Sequence, residues 1–276
     1  MKKSYLPYLI PFIAFLVLTY AGSYLFTSFK LSKSSLEKLR DERISDDILD
    51  RLTSLEEQEF AQEREFLSAV EQQIGEEHTS EYKKPIVKHA RLSHGTYIFY
   101  PIKTLIVAVL LFYYRQRYAE ITMKFSWLAV LVGIVVFIIW VVPEGWYPHL
   151  GSSEFHPYTY GKNWLAYTLI AFRLFGAAIV VPVFEELFWR SFAIRWIIDE
   201  DFHSVPIGKF TWFSCCVIVL GFGFEHHRWL VGLLAGALYN ALLYYKKDLS
   251  GCILAHAVTN LLLGIYVLQT QQWTFW

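Results

Sequence analysis

The chain has 276 residues, 55% of them hydrophobic and 18% aromatic, with 25 basic and 25 acidic side chains that cancel to a net charge of zero. That composition is too apolar for an ordinary soluble domain and suits a protein that crosses a membrane several times. The zero charge excludes the basic footprint of a nucleic-acid binder. Three cysteines, Cys215, Cys216 and Cys252, fall in or beside apolar runs without a CxxC, so they read as small hydrophobes rather than a disulfide framework.

Residues 1–29 open with a basic start, Lys2-Lys3, and continue in an apolar stretch from Tyr5 to Phe29. The stretch is longer than the apolar core of a usual signal peptide and reads as an uncleaved first span. Residues 30–94 differ in kind. They hold most of the acidic side chains, and Ile44, Ile48, Leu52, Leu55, Phe66, Val70 and Ile74 recur at helical spacing among Glu, Gln, Arg and Ser. An extramembrane helical hairpin or coiled insertion is expected, broken near Gly75 and Pro85.

From 95 to 276 the chain is apolar again. Six further spans are expected: Tyr97–Tyr114, Phe125–Val142, Trp164 to about Phe188, Phe210–Phe224, Trp229–Tyr245 and Ile253 to about Leu268. The fold class is therefore all-α, a polytopic membrane protein of about seven transmembrane helices with one extramembrane insertion. Lys2-Lys3, Arg115/Arg117/Lys124, Arg195/Lys209 and Lys246-Lys247 land on one side, the cytoplasm by the positive-inside rule. The acidic insertion and the Pro143–Gly161 loop land on the other. Trp residues cluster near span ends, as in an interfacial aromatic belt.

Three polar pairs interrupt these spans. Ionisable groups inside a membrane segment are expensive and mark function or a paired structural role. In Glu185-Glu186-xxx-Arg190 the second glutamate and the arginine are four apart, share a helical face and neutralise each other, while Glu185 points about 100° away. Phe222-xxx-His226 and His256-xxx-Asn260 repeat the four-residue spacing on two later segments. His227, beside Arg228, reads as interfacial. Taken singly, a histidine in a span is more often a hydrogen-bonded packing residue than a catalyst; three polar pairs in three nearby spans carry more weight.

The chemistry these residues allow is water activation. A carboxylate shielded from bulk water works as a general base, and a histidine can hold the attacking water. A second histidine with an asparagine amide can donate hydrogen bonds to an oxyanion. Those parts suffice for peptide-bond hydrolysis without a covalent intermediate. Glu185, His226 and His256 equally match the ligand set of a catalytic zinc site with one open position, so both mechanisms stand at this point. HExxH and GxSxG are absent, and no Asp lies within the apolar spans, which argues against an aspartate dyad.

In order and placement, the three motifs resemble those of the CAAX-protease and bacteriocin-processing family of intramembrane proteases (CPBP, also called Abi), over roughly residues 97–276. The resemblance implies an α-helical, metal-independent glutamate endopeptidase without a cofactor. It assigns water activation to Glu185, water positioning to His226, the oxyanion site to His256 and Asn260, and structural support to Glu186, Arg190 and Phe222. A narrower likeness to the bacterial CAAX-protease-related branch associated with exosortase systems lies in Val142-Pro-Glu-Gly-Trp-Tyr-Pro148, the Glu185–Phe192 stretch, and the tail with Trp273-Thr-Phe-Trp276. It implies a multi-pass protein of the bacterial inner membrane, a membrane-associated protein substrate, and exosortase-system proteins as partners. The competing reading is a non-catalytic membrane scaffold or immunity-type binding protein, which the long insertion favours; a small-solute transporter is disfavoured by the lack of an internal repeat.

Overall fold

The computed structural model describes residues 4–122, 124–150 and 155–276; the basic start at Lys2-Lys3 lies outside the described residues. Helix α1 (Leu6–Tyr24) is followed by strand β1 (Thr27–Lys30), helices α2 (Lys33–Asp41) and α3 (Asp46–Leu52), strand β2 (Glu59–Phe60), helices α4 (Glu63–Ile74) and α5 (Glu76–Ala90), and strand β3 (Arg91–Ser93). Helix α6 (Gly95–Tyr114) and helix α7 (Trp127–Val141) come next. A 35-residue helix, α8 (Trp164–Ile198), precedes α9 (Trp212–Phe224), α10 (Trp229–Lys246) and α11 (Leu249–Thr270). The chain divides into two compact units, Met1–Val17 with Tyr100–Trp276, and Leu18–Phe99.

The second unit folds by the logic of a soluble domain. Ile44, Ile48, Leu52, Leu55, Phe66, Val70 and Ile74, whose helical spacing is legible in the sequence, are all buried, and Leu31, Leu39, Ile86 and Ala90 join them in this core. The structure differs from the expected hairpin in two ways. Four helices pack with a three-stranded antiparallel sheet of order β2-β1-β3, in which Phe29 pairs with Phe60 on one side and Arg91 on the other. These strands are too short to show a period-2 pattern. The expected break at Gly75 occurs, with φ +82°, but Pro85 lies inside α5 and does not end it.

The first unit is a helical bundle. Among the described residues, four helices are long and apolar enough to cross a membrane: α1, the α6 segment Gly95–Arg117, α8 and α11. α7 and α9 are shorter apolar helices. Side-chain caps set several starts: Ser126 accepts from the Ala129 N–H, Asn163 from Leu165 and Ala166, Thr211 from Ser214, and Asp248 from Gly251. Trp127, Trp164 and Trp212 follow three of those caps and are exposed, as interfacial indoles should be. Exposed Val109, Phe112, Leu131 and Leu220 suit a lipid-facing surface.

Several expected basic ends meet at one end of this bundle. The Tyr118 hydroxyl donates to Pro7 O at 2.7 Å, Arg195 pairs with Glu120 at 3.2 Å, and Lys246 donates to Ser126 Oγ at 2.9 Å. At the other end Arg228 grips Glu144 through two hydrogen bonds of 2.9 and 2.7 Å and donates to Thr274 O. That clamp ties the loops after α7, α9 and α11, and the guanidinium holds the Glu144 carboxyl below the usual carboxylate range.

Candidate active site

The site is built on α8. Pro182 cannot donate a backbone hydrogen bond and its ring crowds the carbonyl one turn back. α8 absorbs this with a π-helical stretch, Gly176–Val180, and a second one follows at Leu187–Ala193. Glu185 and Glu186 occupy the short α-helical piece between them, Val181–Glu186. Such π-bulges inside an α-helix re-aim side chains and recur at functional sites. From α1, Phe12 stacks on Phe188 at 3.8 Å and meets Phe184 edge-on at 6.1 Å, which fixes the outer side of this stretch.

The pairing read from the sequence is present. Arg190 Nη1 donates to Glu186 Oε1 at 3.3 Å, and both side chains are fully buried. His256 Nδ1 reaches the same oxygen at 2.9 Å, which joins α11 to α8. The Arg190 guanidinium also lies over the Phe222 ring, 4.2 Å from its centroid, and over Tyr239 at 5.4 Å. A buried charge needs this kind of compensation to persist. Glu185 is itself only 6% exposed, and its Oε2 is buried without a hydrogen-bond partner.

A straight helix from Phe210 would carry His226 about 24 Å along its axis. α9 instead starts at Trp212 and stops at Phe224, so His226 sits in the following turn. There its Nδ1 meets Phe222 O at 2.8 Å, and Trp140 of α7 meets the ring edge-on at 5.2 Å. Phe222 is the common neighbour, with its centroid 4.8 Å from that of His226 and 6.1 Å from that of His256. Asn260, one turn beyond His256, donates from Nδ2 to Ala177 O at 2.8 Å in the first π-helical stretch. The structure thus draws Glu186, Arg190, Phe222, His226 and His256 into one contact chain and ties Asn260 to the same helix. Glu185 lies within Coulombic reach of Glu186 and Arg190.

Residues 167–262 match a family model described as Rce1-like, type II CAAX prenyl endopeptidase. All seven residues of the three motifs fall inside that segment. The match supports the CAAX-protease-like family and, with the four long apolar helices, a membrane-embedded endopeptidase in general. No curated protein and no solved structure matches the chain.

Several contributors have no motif to announce them. Tyr239 of α10 stacks on His256 at 5.3 Å and donates to Thr259 Oγ1 at 2.8 Å. Trp140 closes on His226, and Glu225 accepts a hydrogen bond from the Trp189 indole at 3.0 Å. The only sequence signal pointing to α10 is Gly232-xxx-Gly236, the small-residue spacing of closely packed membrane helices. Among the described residues no three His, Cys, Asp or Glu side chains are grouped as a metal-ligand set.

Proposed function

We propose that the chain is an intramembrane endopeptidase that hydrolyses a peptide bond of a membrane-associated protein with water activated by Glu185. The observation that carries this reading is the buried Glu185 carboxylate, which makes no hydrogen bond among the described residues, beside Glu186, whose Oε1 is held by Arg190 and His256 while its Oε2, like Arg190 Nε, stays unpartnered. A carboxylate held for structure is gripped by its partners, as Glu186 is through Oε1; one held for chemistry is left free of them, with its oxygens open for water.

Hydrogen-bond directions support the remaining roles in this reading. The Phe222 carbonyl only accepts, so His226 carries its proton on Nδ1 and presents the Nε2 lone pair. That atom accepts a hydrogen bond from the water while Glu185 takes the other proton. Glu186 likewise fixes His256 with Nδ1–H, and Nε2–H is then available only in the imidazolium. In that form His256 donates to the developing oxyanion, and the Glu186 carboxylate stabilises its charge. The Asn260 amide has one N–H committed to Ala177 O and one left for the same oxyanion. Water oxygen bonds to the scissile carbonyl carbon, the C–N bond breaks, and the proton held by Glu185 passes to the leaving amine.

The test is Glu185→Gln, which keeps the shape and removes the base. Membranes from cells expressing the native chain should yield new peptide termini, read by mass spectrometry, that vanish with Glu185→Gln. Products that persist in that variant overturn the mechanism. The finer reading, a role in exosortase-linked sorting at the bacterial inner membrane, rests on the likeness in Val142–Pro148, the Glu185–Phe192 stretch and the C-terminal tail. It expects those termini to lie in exported proteins bearing a C-terminal sorting segment, and products confined to other proteins overturn it.

A further inference from the structure

We infer that Glu225 is a specificity-determining residue that binds a cationic side chain of the substrate beside the scissile bond; the inference rests on the endopeptidase reading above. Glu225 sits in the turn that ends α9, directly before His226, with its N–H bonded to Gly221 O at 3.1 Å. The turn is therefore fixed rather than loose. Its carboxylate is anchored on one side only. Oε2 accepts the Trp189 indole N–H at 3.0 Å, and Oε1 has no hydrogen bond or ion pair among the described residues.

Trp189 reaches that position from α8, one helical turn after Glu185. The close approach is possible because Gly221 has no side chain: a Cβ there would lie 2.9 Å from the indole ring. The indole N–H fixes the position of the carboxyl group, although desolvation by the surrounding chain outweighs that hydrogen bond and pushes the Glu225 carboxyl up to about 7.

Each neighbouring cation is committed elsewhere. Arg190 belongs to Glu186 and the Phe222 and Tyr239 rings, Arg228 to Glu144 and Thr274 O, and His227 Nδ1 to Leu150 O. Glu225 and the buried, unpartnered Glu185 lie within Coulombic reach of each other. Arg190 lies within Coulombic reach of both, but among the described residues its hydrogen bonds go to Glu186 and Gly236 O, so neither Glu185 nor Glu225 has a cation hydrogen-bonded to it. Glu225 is exposed where Glu185 is buried, which leaves its open oxygen accessible to an incoming chain. A lysine or arginine arriving there donates a charge-assisted hydrogen bond to that oxygen and stabilises the ionised form of Glu225.

The experiment uses the full chain in lipid nanodiscs, all variants built on Glu185→Gln so that no probe is consumed. The probes are three bilayer-spanning helical peptides, identical except for a lysine, glutamine or glutamate at the edge of the apolar stretch. The expected result is binding of the lysine peptide about tenfold tighter than the glutamine peptide, the scale of one hydrogen bond to a charged group. Glu225→Gln should erase that preference, Glu225→Asp keep it, and Glu225→Lys turn it toward the glutamate peptide. A merely structural Glu225 would not produce that reversal. Equal preference in the Glu225 carboxylate and Glu225→Gln forms, or none in either, overturns the inference. A lysine preference in a chain whose Glu185 form yields no new termini instead defeats the endopeptidase reading and leaves Glu225 a cation-binding residue.

Discussion

Arg190 has no exposed surface, and its charge is balanced by one carboxylate oxygen, Glu186 Oε1, which also takes the His256 Nδ1. Removing one member of a buried pair strands the other, at a cost of about 3–5 kcal/mol. Arg190→Met should therefore lower the thermal midpoint in detergent markedly, and Glu186→Gln should do the same. The double variant should lose much less than the two losses added together, because neither charge is then left alone. Additive losses would mean that Arg190 is held by the Phe222 and Tyr239 rings rather than by Glu186. This pair was legible in the sequence because residues four apart on a helix are neighbours whatever the fold. Tyr239, Trp140 and Glu225 were not, since each meets the site across a helix–helix contact that one strand of sequence does not encode.

At the level of elements, the turn carrying Glu225 and His226 is held by the packing of α9 on α10. A Cβ on Gly223 would lie 2.4 Å from Leu233 Cδ2 and 2.9 Å from Leu233 N. The first clash could be relieved by a rotamer change, but the second is with backbone and cannot. Small residues allow this approach in membrane bundles, where dispersion rather than water drives association. Gly223→Ala should cost about 1–3 kcal/mol of stability, as overpacking does, and should shift His226, three residues on. The thermal midpoint reads the first effect and the histidine ring resonances the second; unchanged values for both would show that the helices separate freely here. Leu233→Ala in the same chain should restore only part of the loss. Span existence was readable from apolar length, and α9 ends at Phe224 as expected with its start only two residues later, but the two π-helical stretches of α8 were not readable. Pro182 signalled a disturbance there without specifying that α8 would continue through it as a 35-residue helix.

Taken whole, the molecule answers to two solvents. In the unit that holds the site, aliphatic and aromatic faces point outward and charges are paired inside, the inverse of the Leu18–Phe99 unit, whose ion pairs lie at the surface over a core of Leu31, Leu52, Phe66 and Ile86. Hydrophobic spacing revealed that second core, whereas its sheet is made by long-range pairing of β1 with β3, about sixty residues apart in sequence, and left no local mark. The sheet is braced by a polar cluster: Ser28 Oγ lies 2.5 Å from Glu59 Oε1 and 2.7 Å from His94 Nε2, and His94 reaches the same carboxylate at 3.1 Å. The Ser28 hydrogen bond, then His94, holds the Glu59 carboxyl below its ordinary value of 4.5. A carboxyl depressed in the folded state contributes stability that is present above that ordinary value and lost as pH falls through the folded one. Glu42, depressed by Lys88 and then His89, acts in the same direction. Amide hydrogen exchange of the full chain in nanodiscs, followed in residues 27–30 and 91–93, should therefore show protection that is level above pH 4.5 and falls on further acidification. Glu59→Gln should lower the plateau and flatten the fall, leaving the smaller part due to Glu42, because a neutral amide accepts from Ser28 at every pH but has no charge to lose. A fall of equal depth in Glu59→Gln would place the acid-sensitive contacts of this unit elsewhere than at the sheet.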